Sequence, residues 1–251
     1  MQVSFSSRRA RPLLAGLALL AVSPAFAADM TLDVDASQLA RRIIHAHERI
    51  PVSGGKLVLY YPKWSPGDHA PLGRVDQLSE IVFHADGRVL PWRRNLADAF
   101  TFELTLPAGI DHVDADFDVR LPAPGSPLGG ASARLMRLRW DLAMLYPAGK
   151  AVQDIAVDAT LTVPAGWDFA SALPVDTRDH EKIHFKTTAL DALVDAPVLT
   201  GLTMRTFELT PGDAVSHRMA VAAETREDLP ASADQLGQIR PPGGRVQGDF
   251  S

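Results

Sequence analysis

The 251-residue sequence contains no cysteine. This absence excludes a disulfide framework, a zinc site with cysteine ligands, an iron–sulfur cluster and a cysteine nucleophile. The chain also has no excess of positive charge, since its formal net charge is −5. We therefore expect no nucleic-acid partner. Hydrophobic residues make up 46% of the chain, which excludes disorder as its main state and allows a sizeable core.

Common catalytic motifs are absent as well. His47-Glu48 is the nearest approach to the His-Glu-x-x-His motif of zinc peptidases, but Pro51 occupies the position of the second histidine and would break the helix. No serine lies in a Gly-x-Ser-x-Gly turn. Gly54-Gly55-Lys56 continues with Leu57, so it is not a phosphate-binding loop. We therefore expect no catalytic residue, no metal ligand and no cofactor in this chain.

Residues 1–27 have the three parts of a secretion signal. Three arginines precede the apolar stretch Leu13–Val22, which is followed by the small-residue sequence Ala25-Phe26-Ala27. We expect cleavage between Ala27 and Ala28. Because the apolar stretch is shorter than the roughly 20 residues that cross a bilayer, a permanent anchor is disfavoured. The sequence predicts a periplasmic or secreted protein that does not contact the membrane after the signal is removed.

Most of the chain after the signal alternates apolar and polar residues with a period of two. The segments with this pattern are Phe100–Leu106, Val113–Leu121, Met136–Trp140, Ile155–Val163 and Val215–Val221. Successive side chains of a strand point to opposite faces, so each segment has one buried and one exposed face. Short turns separate the segments. The pattern predicts a mainly β protein, an antiparallel β-sandwich that occupies residues 28–230.

Two local features can be assigned more closely. Asp86-Gly87 lies between Ile81–His84 and Arg88–Leu90, and it predicts a tight hairpin because both turn residues can adopt positive φ. Leu39–Ile50 fits an amphipathic helix by its spacing and a strand equally well by its composition.

A short C-terminal helix is predicted over residues 231–240. Ser232 is a suitable N-cap for it. Pro241-Pro242 removes backbone donors and ends the helix. We expect residues 241–251 to be disordered.

Two polar stripes allow more than one interpretation. His45 and His47 can place two imidazoles on one strand face, where a metal ion could use them. Asp114, Asp116 and Asp118 form a second stripe, which suggests a hard-cation site but lacks the turn that gathers calcium ligands. We favour solvated strand faces for both stripes.

The loop that follows Leu57–Tyr61 is a candidate binding site. It contains Trp64, Asp68 and His69, and such residues on a conformationally fixed loop often line sites. In the alternative, which we favour, Trp64 folds over the end of the sandwich as part of the core while Pro66-Gly67 forms a type II turn.

Five segments occur in the order and at the separations typical of one known family. They are Val34–His47, Tyr61–His69, Leu90–Arg94, Leu145–Gly149 and Leu193–Gly201. Together they resemble the N-terminal domain of the glycyl-aminopeptidase-type bacterial metallopeptidases. The resemblance extends to about Arg240.

The resemblance implies a β-sandwich like that of the related aminopeptidases, which packs against a thermolysin-like catalytic domain and helps to wall its active-site cleft. It also implies that zinc belongs to that catalytic domain, which is usually followed by a PDZ domain. No residue of this chain matches the zinc-binding motif. We therefore expect a non-catalytic fragment whose partner is the missing catalytic domain.

In that family, a helix corresponding to residues 231–240 leads into the catalytic domain. The tail that follows it here departs from the pattern, and we hypothesise that residues 241–251 arise from a frameshift. The alternative function is an autonomous secreted β-sandwich binding module for peptide or carbohydrate, with the Trp64 loop as its contact.

Overall fold

The computed structural model describes residues 29–64, 69–126, 129–210 and 217–232. Strands dominate this part of the chain, and their bounds follow. The strands are β1 (Met30–Asp35), β2 (Ile43–Pro51), β3 (Gly55–Tyr60), β4 (Leu78–Ala85), β5 (Arg88–Leu90), β6 (Trp92–Arg94), β7 (Thr101–Leu106), β8 (His112–Arg120), β9 (Gly130–Ala131), β10 (Leu135–Leu138), β11 (Tyr146–Pro147), β12 (Ala156–Thr162), β13 (Asp168–Ala170), β14 (Val175–Asp179), β15 (Lys182–Phe185), β16 (Thr188–Ala189), β17 (Val198–Gly201), β18 (Met204–Glu208) and β19 (Arg218–Ala222).

Helices in the described residues are short. One is an α-helix, α1, which spans Leu190–Val194 and buries Leu190 and Leu193. The others are single 3₁₀ turns at Leu39–Arg41, Val75–Gln77, Trp140–Leu142 and Val152–Asp154. None of the described helices is long and apolar enough to cross a membrane.

The largest sheet has nine strands in the order β14-β15-β12-β1-β2-β8-β4-β5, with β16 also paired to β12. Its pairs are antiparallel except for β1 and β12, which run parallel. A parallel pair needs a long crossover connection, and here more than half of the sandwich lies between the two strands. Two four-stranded sheets, β13-β17-β10-β9 and β11-β3-β7-β6, complete the sandwich.

The inner faces of the three sheets share one hydrophobic core. Leu32 and Ile44 contribute from the large sheet, Leu59 and Phe102 from one small sheet, and Met136 from the other. The prediction of a mainly β, antiparallel sandwich is confirmed. Most segments with period two are strands that bury alternate residues, as β8 shows with Val113, Ala115, Phe117 and Val119 all buried.

The local predictions can be compared with the structure. β4 and β5 form the expected hairpin, and Asp86 and Gly87 have φ of 48° and 71°. Leu39–Ile50 is chiefly a strand, because only Leu39–Arg41 forms a 3₁₀ turn before β2 begins. The described residues do not include residues 1–28, which contain the expected signal. They also do not include residues 233–251, which contain most of the predicted C-terminal helix and the tail.

Two strands differ from their sequence patterns. The strand in Met136–Trp140 ends at Leu138, and Trp140 is fully buried from a 3₁₀ turn instead. In the segment that ends at Val221, the expected apolar face is not buried, because Met219 of β19 is 41% exposed. β18 and β19 form a separate two-stranded sheet that pairs with no other strand among the described residues.

Candidate functional site

The Trp64 loop begins where β3 leaves the sandwich. Tyr61 is buried and its backbone N–H donates to the Phe100 carbonyl at 2.8 Å. Two residues later the chain closes on itself, since the Gly73 N–H donates to the Lys63 carbonyl at 3.1 Å. Glycine is required at this closure, because a Cβ on Gly73 would lie 2.2 Å from the Pro62 carbonyl oxygen. The two ends of the loop are therefore held together at its base.

Trp64 itself is 60% exposed, so the interpretation of this side chain as part of the core is wrong. His69 is also exposed. Asp68 and the Pro66-Gly67 turn lie outside the described residues. The structure thus shows two of the three candidate residues on the surface and gives no geometry for the third.

Exposed apolar residues lie on the segments tied to this loop. Lys63 forms a 3.0 Å ion pair with Asp98, and its ammonium lies 5.0 Å from the centre of the Phe100 ring. Leu72 precedes the Gly73 closure, and Leu96 protrudes from the turn that contains Asp98. Their exposures are 49% and 106%. These three exposed residues, Trp64, Leu72 and Leu96, lie on segments that are joined by the Gly73–Lys63 hydrogen bond and the Lys63–Asp98 ion pair, and they are called the apolar rim below.

The two polar stripes meet each other on the solvent-facing side of the large sheet. β2 pairs with β8 so that His45 lies opposite Asp118 and His47 opposite Asp116. The Nδ1 atoms of these histidines lie 2.5 Å and 2.8 Å from the partner carboxylate oxygens. Sequence reasoning treated the stripes separately, because the register that joins them is a long-range property.

A third cross-strand pair follows at Arg49, which forms a bidentate ion pair with Asp114 at 2.8 Å and 3.2 Å. The three pairs are called the ladder below. The hydrogen bonds from this guanidinium hold the pKa of Asp114 below its ordinary value. Exposed cross-strand pairs of this kind contribute about 0.2–1 kcal/mol each. Within the described residues, no group of three His, Cys, Asp or Glu side chains is placed to hold a metal ion. The cross-strand pairs of the ladder favour the observed register of β2 and β8.

Glu48 is the polar residue that sequence reasoning missed. It points to the inner side of β2 between Ala46 and Ile50, and its side chain is completely buried. Oε1 accepts a 2.9 Å hydrogen bond from the Leu145 N–H, while Oε2 has no hydrogen-bond partner among the residues that the structure describes. Burial raises the pKa of Glu48 well above its ordinary value. In the sequence, Glu48 occupies one of the alternate positions of β2 that are otherwise apolar, and this placement could have indicated that its side chain is buried.

Comparisons with solved structures identify the class of fold. An aminopeptidase N family protein from Idiomarina loihiensis superposes with a TM-score of 0.68 at 17% identity, over 77% of this chain and 32% of that chain. An M1 zinc metallopeptidase from Deinococcus radiodurans gives a TM-score of 0.47 at 17% identity, over 85% of this chain and 49% of that one. This chain therefore spans about a third of the length of the first protein and about half of the length of the second. The first likeness shows that the fold is that of a β-sandwich found in aminopeptidase-like proteins.

The family follows from the sequence itself. Residues 31–202 match the Peptidase M61 N-terminal domain, and the chain therefore belongs to this family. No curated protein sequence matches the chain. The resemblance to a metallopeptidase N-terminal domain is thus confirmed at the level of the domain.

Proposed function

We propose that this chain is the non-catalytic N-terminal domain of an exported zinc aminopeptidase-like protein. The observation that carries the proposal is the match of residues 31–202 to an N-terminal peptidase domain. In the described residues, His45 and His47 each contact an aspartate, and no group of three His, Cys, Asp or Glu side chains is placed to hold a metal ion. The residues of the described chain therefore do not fit a zinc site.

In this proposal the catalytic residues belong to a separate domain of the same protein. That domain is thermolysin-like, carries the His-Glu-x-x-His motif that this sequence lacks, and is followed by a PDZ domain. The sandwich packs against it and forms part of the wall of the substrate cleft. Zinc is a cofactor of the catalytic domain alone.

Export is the second part of the proposal. The charged, apolar and small-residue parts of residues 1–27 support a cleaved signal. The protein is then periplasmic or secreted and begins at Ala28. Amino-terminal sequencing of the protein recovered from a bacterial periplasm is expected to read Ala28-Asp29-Met30.

We predict that the purified chain binds no stoichiometric zinc and hydrolyses no aminoacyl anilide. Four-coordinate zinc requires three or four convergent ligands, and the described histidines provide at most a pair. Elemental analysis after dialysis against zinc measures the metal, and release of the anilide chromophore measures hydrolysis. One tightly held zinc per chain that is lost in His45→Ala would overturn the proposal.

A second candidate function is an autonomous binding module for peptide or carbohydrate. The exposed apolar rim of Trp64, Leu72 and Leu96 is the observation that favours it. If it is correct, a peptide or oligosaccharide ligand changes the fluorescence of Trp64 and Trp64→Ala abolishes binding. Because Trp64 is exposed, the same variant is expected to keep its unfolding free energy within about 0.5 kcal/mol. Unchanged binding by Trp64→Ala would exclude this use of the loop.

A further inference from the structure

Three neighbouring strands of the large sheet end at the same surface cavity, which has a volume of about 440 Å³. The strands β2, β8 and β4 are adjacent in the sheet. Arg42 directly precedes β2, Arg120 is the last residue of β8, and Gln77 directly precedes β4. All three residues line the cavity. The antiparallel order of the strands therefore brings together residues that are far apart in the sequence.

The backbone holds the two arginines side by side at these strand ends. The Leu121 N–H donates to the Arg42 carbonyl at 2.7 Å, and the register places Arg120 opposite Ile43. Arg42 has a φ of 55°, which lies in the left-handed region that glycine adopts at a lower cost than arginine. Residues other than glycine in this region are concentrated at functional sites. The strained backbone of Arg42 is therefore a first indication that its side chain has a role here.

The cavity carries an excess of positive charge, although the net charge of the whole chain is −5. Arg42, Arg74 and Arg120 line it together with Asp76. The Arg74 guanidinium donates two hydrogen bonds to the Asp76 carboxylate, at 3.0 Å and 2.8 Å, so these two charges compensate each other. The side chains of Arg42 and Arg120 are exposed and have no ion pair or hydrogen bond with the described residues. Two positive charges at the cavity are therefore left without a partner in the described part of the chain.

Gln77 adds an acceptor that the described fold leaves unused. Its Oε1 atom is buried and has no hydrogen-bond partner among the residues that the structure describes. A buried polar atom without a partner is costly and uncommon in folded proteins. A hydroxyl group of a bound ligand would satisfy this acceptor. Leu78 and Pro122 line the same cavity and provide apolar contact for the rest of such a ligand.

We propose that this cavity at the ends of β2, β8 and β4 binds a small ligand through a doubly negative oxyanion group, which Arg42 and Arg120 neutralise. Guanidinium groups suit this task because their planar N–H donors bind the oxygens of phosphate and carboxylate groups in pairs. Two unpaired guanidinium groups match the charge of a phosphate dianion or of a dicarboxylate. Gln77 accepts a hydrogen bond from a hydroxyl group of the ligand. The site does not depend on the proposed function, because it uses residues of this chain alone.

Isothermal titration calorimetry of the purified chain tests the site with two probes, inorganic phosphate and succinate, which distinguish the two forms of the dianion. At least one of them is expected to bind saturably, as a single molecule per chain, with a Kd of about 1 mM or below. Sodium chloride at the same ionic strength is the control for screening by salt. The absence of saturable binding of both probes would overturn the proposal.

Two variants locate the binding at the cavity. Arg120→Gln and Arg42→Gly are each expected to weaken binding about tenfold or more, because each removes charge-assisted hydrogen bonds. Arg42→Gly also relieves the positive φ, so its thermal midpoint without ligand is not expected to fall. Arg88→Gln is the matched control, since Arg88 is an exposed arginine of β5 that does not line the cavity. It is expected to bind as the unmodified chain does.

The remaining outcomes also decide the question. Saturable binding that neither Arg42→Gly nor Arg120→Gln weakens would identify an adventitious ion only and would overturn the proposal. An equal loss of binding in Arg88→Gln would show that the anion responds to the overall charge of the chain rather than to this cavity, which contradicts the proposal as well. Each of these results leaves the proposed function unchanged, because that function rests on the family match.

Discussion

Replacing Trp140 with alanine is expected to lower the free energy of unfolding by about 3–5 kcal/mol. The indole is fully buried and packs edge-on against the Phe185 ring, with 5.7 Å between ring centres. Its Nε1–H donates to the Ala196 carbonyl at 3.1 Å. Alanine would leave a cavity and remove the hydrogen bond from the indole. The Ala196 carbonyl would then keep only the longer hydrogen bond from the Ser171 hydroxyl, at 3.5 Å, among its partners in the described residues.

Urea unfolding followed by circular dichroism measures this loss. Trp140→Phe is the matched control, because it keeps most of the ring volume and removes the hydrogen bond, so we expect a smaller loss of stability. A domain of this size has a total stability of about 5–15 kcal/mol, so the expected loss is a large fraction of the total and lowers the urea midpoint accordingly. A loss below about 1 kcal/mol for the alanine variant would contradict the position of Trp140 in the core.

Raising the pH is expected to destabilise the fold through Glu48. Burial raises the pKa of this carboxyl well above its ordinary value, so the folded protein keeps a proton that the unfolded chain releases above about pH 4.3. This contribution to stability is fully present below the pKa in the unfolded chain and is lost as pH rises through the pKa in the folded protein. Between the two values the unfolding free energy falls by about 1.4 kcal/mol per pH unit.

The matched variant is Glu48→Gln, which keeps the shape and the acceptor for the Leu145 N–H but has no proton to lose. The difference in stability between the variant and the unmodified chain is expected to grow in favour of the variant as pH rises from 5 to 8. Comparing the two proteins cancels the contributions of all other groups, which both retain. A pH-independent difference would show that Glu48 ionises at its ordinary pH.

The strands could be predicted from the sequence because their alternation is local. Val113–Leu121 carries its own burial pattern, and Asp86-Gly87 carries its own turn geometry, so both agree with the structure. α1 could not be predicted in the same way, because five residues are too few to display a helical period. Trp140 shows a further limit, since its ring packs against Phe185 of a distant strand, and such a long-range contact leaves no local pattern in the sequence.

The candidate site was less accessible to sequence reasoning. The contact of His45 with Asp118 depends on strand register, which joins residues 73 positions apart. The exposure of Trp64 depends on what covers the loop, and a Trp in a Pro-Gly loop is consistent with either a surface or a core position. The burial of Glu48 was not predicted, because a glutamate among the apolar residues of an alternating strand looks like an interruption of the pattern.

The most direct measurement of the central claim is aminoacyl anilide hydrolysis by the purified chain, with and without added zinc. The account predicts no hydrolysis above the buffer control in either condition. Hydrolysis by the chain alone that tracks the purified protein would contradict the account, because it would place catalytic residues in this N-terminal domain.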